Sequence, residues 1–376
     1  MDFELSDEQK MLRDASRELL ADRSPIGDVR GRSDDAPDVD PDLWRFAAEL
    51  GWTGLALPGE HGGWDQGLTE LAIVAEEIGR ALARGPFLPT MLVGNAVARG
   101  GRAALQAEVL PELAAGSAWA SWAVAEPRSP WTLAGVQATA TPDGDDVVLG
   151  GVKSAVQDAG GARWLLVTAR LHGEPVSYLL DRGTPGLTVR RQRTLDLTRA
   201  LYEVRLDDVR VPATRRLSGG AMESQRLLDE AAVLTCAESL GVAGRLLEMT
   251  VEYVKTRVQF GRPIGGFQAV KHKCATMAML VLGSRAATYA AAMAADGATP
   301  DAGRAACAAK AFVADAVTRV GGEALQLHGG IGFTWEHDLH LYLRRGQVDA
   351  VLYGDAAAHR DRLCDLIQSQ ATAIPA

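Results

Sequence analysis

Apolar residues recur at helical spacing over the first third of the chain, switch to a two-residue alternation near residue 119, and return to helical spacing from about Glu223 onward. At the start, Met11, Leu12, Ala15, Leu19 and Leu20 share one face behind a Ser6–Gln9 capping box. The stretch from 22 to 40 is rich in charge, glycine and proline and reads as a long connection. Pro41 suits the first turn of a helix closing at Gly51; residues 56–67 read as a loop. Leu71, Val74, Ile78 and Leu82 mark a further helix, ended by Gly85-Pro86. Short apolar runs at 120–125, 135–140, 146–149, 164–169, 175–180, 186–190 and 201–206 predict seven strands, parted by turn signals such as Pro142-Asp143-Gly144-Asp145. Seven strands so closely spaced imply a β-sandwich or barrel. In the last third, Thr299-Pro300 starts a helix that Gly329-Gly330 breaks, and Gly321-Gly322 inside it implies close packing or a break. The expected division is helical over 1–118, β over 119–222 and helical over 223–376.

One corner organises the last part. Leu240, Val242, Leu246, Leu247, Met249, Val251 and Val254 lead a helix toward Gly261-Arg262-Pro263, a Gly-then-Pro stop, and a second helix begins near Phe267. Arg257, Gln259, Phe260 and Gln268 thereby cluster at a helix–loop–helix corner. A guanidinium fork, amides and an aromatic face are the groups that a dinucleotide's pyrophosphate and adenine require.

The run Arg257-Val-Gln-Phe-Gly-Arg-Pro-Ile-Gly-Gly-Phe-Gln268 resembles the signature of the acyl-CoA dehydrogenase family, and Ala324-Leu-Gln-Leu-His-Gly-Gly-Ile-Gly-Phe-Thr-Trp-Glu336 is a second family-like run in the right order. The resemblance implies the family's fold: an α-helical N-terminal domain, a central β-sandwich or barrel and a C-terminal four-helix bundle. It also implies FAD as cofactor. In the family, these two runs reach across a subunit interface to hold the adenosine and pyrophosphate half of a neighbour's FAD. Carried over, Arg257 pairs with the pyrophosphate, Phe260 packs near the adenine, Gln268 and Gln326 hydrogen-bond, and Gly329 and Gly330 let backbone approach closely. Gln259, Phe267, Leu327 and His328 complete the implied set.

The family's chemistry needs a carboxylate to take the α-proton of an acyl thioester, and burial makes such a group a usable base. The resemblance places that base before a glycine, where this chain has Tyr353, or on the helix leading to the corner, where it has Ala231. Neither is a carboxylate, so no catalytic residue is assigned. Asp355 and Glu230 stand nearby, although one residue on a helix is a rotation of about 100°, which turns Glu230 away. The family's glycine-rich Thr-Glu-Pro loop is here Ala125-Glu126-Pro127-Arg128-Ser129-Pro130-Trp131, without the glycines that admit a ligand. Its Trp-x-Thr beside the flavin ring is here Ala155-Val-Gln157, after Lys153. What survives serves a partner's flavin; what is lost serves the chain's own.

Composition narrows little beyond this. The 376 residues, 47% hydrophobic and 23% charged, describe a globular protein of two or three domains. A net charge of −9 argues against nucleic-acid binding. Cys236, Cys274, Cys307 and Cys364 read as buried thiols of a reducing compartment, and neither they nor His328 and His340 have metal-ligand spacing. The acidic N-terminus lacks a basic-then-apolar leader and no uninterrupted apolar run spans a membrane, so a cytoplasmic location is expected. Arg304 and Lys310 read as surface residues, and Arg190, Arg191 and Arg193 as a solvated edge. Glu336 and Arg344 would lie about 12 Å apart along one helix, too far to pair.

Three readings follow. The first is the non-catalytic subunit of an α2β2 acyl-CoA dehydrogenase, resembling the two-chain enzymes that act on steroid side-chain CoA thioesters, with an electron-transfer flavoprotein as acceptor. The second is a self-sufficient homotetramer with Asp355 or Glu230 as base. The third is a flavin-free scaffold of the same fold.

Overall fold

The computed structural model describes residues 5–31 and 38–372. Helices α1 (Asp7–Arg23), α2 (Ile26–Gly31), α3 (Pro41–Glu49), α4 (Leu68–Ala81), α5 (Phe87–Gly100) and α6 (Ala103–Ala114) come first. Ser6 and Gln9 form the expected capping box, and Pro41 opens α3. The connection expected over 22–40 is partly helical, because α1 runs on to Arg23 and α2 follows; residues 32–37 lie outside the described residues.

Seven strands follow: β1 (Ala120–Ala123), β2 (Thr139–Asp143), β3 (Asp146–Gln157), β4 (Trp164–Leu171), β5 (Glu174–Asp181), β6 (Leu187–Arg191) and β7 (Leu201–Pro212). They form one sheet. β5 pairs with one edge of β4, the other edge takes β1 and the start of β2, and β3, β7 and β6 continue outward. Leu165 and Val167 of β4 share a core with Leu149, Val204 and Val209 of the far strands, so the sheet curls over onto itself. The alternate residues Trp164 and Leu166 pack into the helical core instead. Because β4 is buried on both faces, its sequence is a continuous apolar run rather than an alternation.

The last third comprises α7 (Gly220–Thr256), a two-stranded hairpin β8 (Val258–Gln259) and β9 (Arg262–Pro263), then α8 (Gln268–Asp296), α9 (Ala302–His328), α10 (Leu339–Val351) and α11 (Ala356–Thr372). α4 crosses α7 at backbone distance: a Cβ on Gly241 would sit 1.9 Å from the Glu76 carbonyl oxygen, and one on Gly79 would sit 2.0 Å from that of Glu238. A Cβ on Gly321 would sit 2.9 Å from Leu343, so that glycine serves close packing, whereas Gly322 is exposed with nothing within 4 Å; the helix does not break at the pair.

Two expectations change, those for Lys310 and for the cysteines. Lys310 is 1% exposed and donates to the Asp349 carbonyl, because its helix face turns inward against α10. Cys364 is exposed on α11 and Cys274 half-buried, leaving only Cys236 and Cys307 as buried thiols. α8 is long and apolar enough, by length and composition alone, to cross a membrane, at 29 residues and mean hydropathy 1.2. It packs along α7 and α9 while exposing Met279 and Leu282.

Candidate cofactor site

α7 stops at Thr256, short of Gly261, because the chain turns at once into the hairpin. Val258 pairs with Pro263 and Gln259 with Arg262, and Ile264 N–H donates to the Arg257 carbonyl at 2.8 Å. The turn residues Phe260 and Gly261 have φ of 51° and 74°, the two left-handed positions of a type I′ turn. That geometry throws Phe260 outward, 92% exposed, with its ring edge toward Phe267 at 6.1 Å. Arg262 lies over Phe267 at 4.2 Å. Arg257 is exposed, and its guanidinium has no partner among the described residues. Gln268, the first residue of α8, is exposed beside it.

The second run sits where α9 ends. Gly329 takes φ 62°, stopping the helix after His328. Gln326, Gly329 and Gly330 are exposed, and Leu327 is half-buried. His328 joins the two elements: it is 3% exposed, and its ring stacks on Tyr253 of α7 at 4.5 Å and 22°. Of the ten residues predicted for this site, His328 alone is buried and turned inward; the other nine are exposed or half-buried.

On the opposite side of the sequence reading, the space is packed. Tyr353, at the position expected for the base, is 5% exposed. Its ring stacks on Trp122 at 6.1 Å and 15° and meets Trp131 edge-on at 5.1 Å. Gln157 donates to the Tyr353 hydroxyl at 2.8 Å and accepts from Arg199. Arg199 pairs with Glu238 at 2.8 Å and Asp349 at 2.7 Å, while Arg345 pairs with Asp196 at 2.7 Å and also with Glu238. Burial pushes the Tyr353 phenol well above its usual range, which keeps it a neutral hydroxyl and no substitute for a carboxylate. Ala231 is buried at 1% in the apolar core.

The Glu126-Pro127 loop has also become internal structure. Glu126 accepts backbone N–H bonds from Gln137 and Ala138 at 2.8–2.9 Å and the fully buried Lys153 ammonium at 2.6 Å. Its carboxylate is thus spent on the fold.

Neither reserve base is free. Asp355 is exposed and accepts from Ala358 N–H at 2.9 Å, which makes it the cap of α11. Glu230 is buried and held by Arg99 at 3.0 Å and Arg226 at 3.1 Å. Burial raises its pKa against the pull of those two guanidinium groups. Sequence reasoning missed Trp122, Arg199, Glu238, Arg345 and Asp349. Arg345 and Asp349 stand four apart on α10, the one local hint that they share an inward face.

Residues 6–117 match the family profile "Acyl-CoA dehydrogenase, N-terminal domain" and residues 219–367 match "Acyl-CoA dehydrogenase, C-terminal domain". The acyl-CoA dehydrogenase IpdE2 of Mycolicibacterium smegmatis is 33% identical over 363 residues, 96% of this chain and 98% of that one. The chain belongs to the acyl-CoA dehydrogenase family. Among solved structures, the ChsE4-ChsE5 complex from Mycobacterium tuberculosis contains a chain with a TM-score of 0.90 at 27% identity, covering 100% of both chains. A Tcur3481-Tcur3483 steroid ACAD variant gives 0.89 at 33% identity, over 97% of this chain and 99% of that one. The resemblance is thus to acyl-CoA dehydrogenases of the steroid type.

FAD is the cofactor, and its fit to this acyl-CoA dehydrogenase divides in two. The ring side does not fit: at the positions that the resemblance assigns to it, Gln157 is bonded to Tyr353 and Tyr353 packs against Trp122 and Trp131, so neither side chain is free for a flavin. The corner fits, offering an unpaired guanidinium at Arg257, a projecting aromatic ring at Phe260, and bare backbone at Gly329 and Gly330, where an added Cβ would meet nothing within 4 Å.

Proposed function

We infer that this chain is the non-catalytic subunit of a heteromeric acyl-CoA dehydrogenase, lending the adenosine and pyrophosphate half of a partner chain's FAD site. The observation that carries this is the contrast between an outward-facing corner with its arginine unpaired and an inward site closed by its own side chains. Arg257 would pair with the pyrophosphate, Phe260 would cover the adenine, Gln259, Phe267, Gln268 and Gln326 would line the approach, and Gly329 and Gly330 would admit it. The bound flavin supplies the hydride-accepting chemistry for α,β-desaturation of an acyl-CoA thioester. The base and the acyl pocket belong to the partner, a homologous chain, in an α2β2 assembly located in the cytoplasm. The likeness to a two-protein complex and to a steroid ACAD supports the assembly and a bulky acyl group such as a steroid side-chain CoA. The domain division at 118 and 222 goes with this reading, since the corner lies wholly in the last part.

The test is flavin absorbance of the chain expressed alone and with a homologous catalytic subunit. Alone it should be colourless; together they should carry about one FAD per heterodimer. Arg257→Ala in the complex removes a charge-assisted pair worth about 1.5–3 kcal/mol and should weaken FAD retention some 10- to 100-fold. One FAD per chain and turnover by the chain alone would establish the self-sufficient reading. Unchanged flavin content in Arg257→Ala would favour the scaffold reading.

A further inference from the structure

Two segments distant in sequence must keep one register if they are to hold one nucleotide; α7 and α9 pack along a shared apolar core, and a buried ring stack ends that packing next to both segments. Tyr253 lies one helical turn before Arg257; His328 lies immediately before Gly329. Their rings are stacked at 4.5 Å, with His337 of the 329–338 connection closing edge-on against His328 at 4.9 Å. His328 Nδ1 donates to the Ala324 carbonyl at 2.8 Å, which fixes its tautomer and leaves Nε2 as a bare acceptor, buried without a partner. A proton on Nε2 would therefore bury a cation whose new N–H has nothing to donate to. His337 Nδ1 accepts from Leu339 N–H at 3.1 Å, so that ring is committed to the turn into α10. The connection is clamped from outside by Arg30, which donates to the Glu336 carbonyl at 2.8 Å and to Asp338 at 2.9 Å.

We propose that the Tyr253–His328 stack, braced by His337, is the positioning joint of the nucleotide half-site, and that it holds the Arg257 corner against the Gly329–Gly330 break only while His328 is neutral. Of the titratable groups packed on His328, Tyr253 comes from α7 and His337 from the connection; Asp338 is engaged by Arg30, and Glu336 is exposed to solvent. Among the described residues no carboxylate bonds to the ring, and burial lowers its pKa below 6.5. The sign follows: the unfolded ring binds its proton first, so the joint is fully stable above about 6.5 and weakens as pH falls below it. His328 touches no nucleotide itself, which makes it a positioning residue.

This rests on the half-site reading, and the experiment separates the two. FAD affinity of the co-expressed complex is measured by flavin fluorescence titration between pH 5 and 8 for the wild type, His328→Phe, His328→Ala and Arg257→Ala. Wild type should lose affinity as pH falls below about 6.5. His328→Phe keeps the stack and removes the titration, so it should match wild type within about twofold at pH 7.5 and stay flat as pH falls. His328→Ala should bind about tenfold more weakly at every pH, the loss expected of one stacked ring pair with its burial. If His328→Phe retains the wild-type pH profile, the joint proposal is overturned even should His328→Ala fail to fold. If His328→Ala binds like wild type while Arg257→Ala does not, the proposal falls and the half-site stands. If Arg257→Ala also binds like wild type, the half-site reading itself is wrong.

Discussion

Tyr353 gives the sharpest test of whether the inward site is closed. Tyr353→Phe keeps the ring against Trp122 and Trp131 but orphans the Gln157 amide donor, now 2.8 Å from the hydroxyl. A buried donor left unmade costs about 1–3 kcal/mol. Tyr353→Ala removes the ring as well. Loss of a buried aromatic costs about 3–5 kcal/mol, and the two ring pairs, at about 0.5–1.5 kcal/mol each, fall within that total. Both variants inherit the same left-handed backbone, φ 57°, so that strain cancels in the comparison. Urea unfolding followed by tryptophan fluorescence, with Trp122 and Trp131 as reporters, should thus give two well-separated midpoint shifts, alanine below phenylalanine. Flavin content of the complex should stay the same in both. An alanine variant destabilised by less than about 1 kcal/mol would mean that the ring fills no space that matters. Loss of flavin in Tyr353→Phe would refute the claim that this side of the chain holds none.

Three further outcomes follow from the same geometry. Arg345→Met leaves Asp196 with Thr198 and a longer Arg199 contact at 3.8 Å and removes one of Glu238's two guanidinium partners in a dry interior, so thermal or urea unfolding should show a loss of about 3–5 kcal/mol, with Arg345→Lys losing less. Asp355→Asn should leave both stability and activity of the complex unchanged and Asp355→Ala should cost about 1 kcal/mol of stability only, because the residue caps α11; a collapse of turnover in the Asn variant would restore it as a base. Burial pushes the Asp158 carboxyl up to about 7, so its contribution to stability is present at low pH and is lost as pH rises through 7. Asp158→Asn should therefore gain stability relative to wild type at pH 8 and not at pH 4, as read from melting temperatures across pH.

The strands were legible because turn residues punctuate them, and all seven appear near their predicted places. Their closure into one curled sheet was hidden, since the pairing of β1 in parallel with β4 depends on contacts far apart in sequence. At the corner, residue types and order were readable, whereas the hairpin was not. Gly261-Arg262-Pro263 looks like a helix stop from either direction, and only the pairing of Val258 with Pro263 shows that the helix has already ended at Thr256. The inward orientation of His328 depends on Tyr253, seventy-five positions away by subtraction of the two residue numbers, which no local pattern encodes. Lys310 failed for a related reason: an isolated lysine among alanines looks solvated until α10 supplies the Asp349 carbonyl. The missing carboxylates were plain from the sequence, but what took their place was not, because Gln157, Arg199 and Glu238 come from three separate elements.

In evolutionary terms, the Tyr353–Gln157–Arg199 chain works as a ratchet. Returning a glutamate to position 353 would set a carboxylate against Gln157, in an interior where the cations Arg199 and Arg345 are already claimed by Asp196, Glu238 and Asp349. Reopening the space would also require Trp122 and Trp131 to move and the glycines absent from 125–131 to return, each change unfavourable until the others are in place. On the non-catalytic reading proposed above, a descendant of this chain can drift at its surface, while each single step toward a self-sufficient site would cost buried packing or a buried bond. On that reading, the same lock would make dependence on a companion gene heritable.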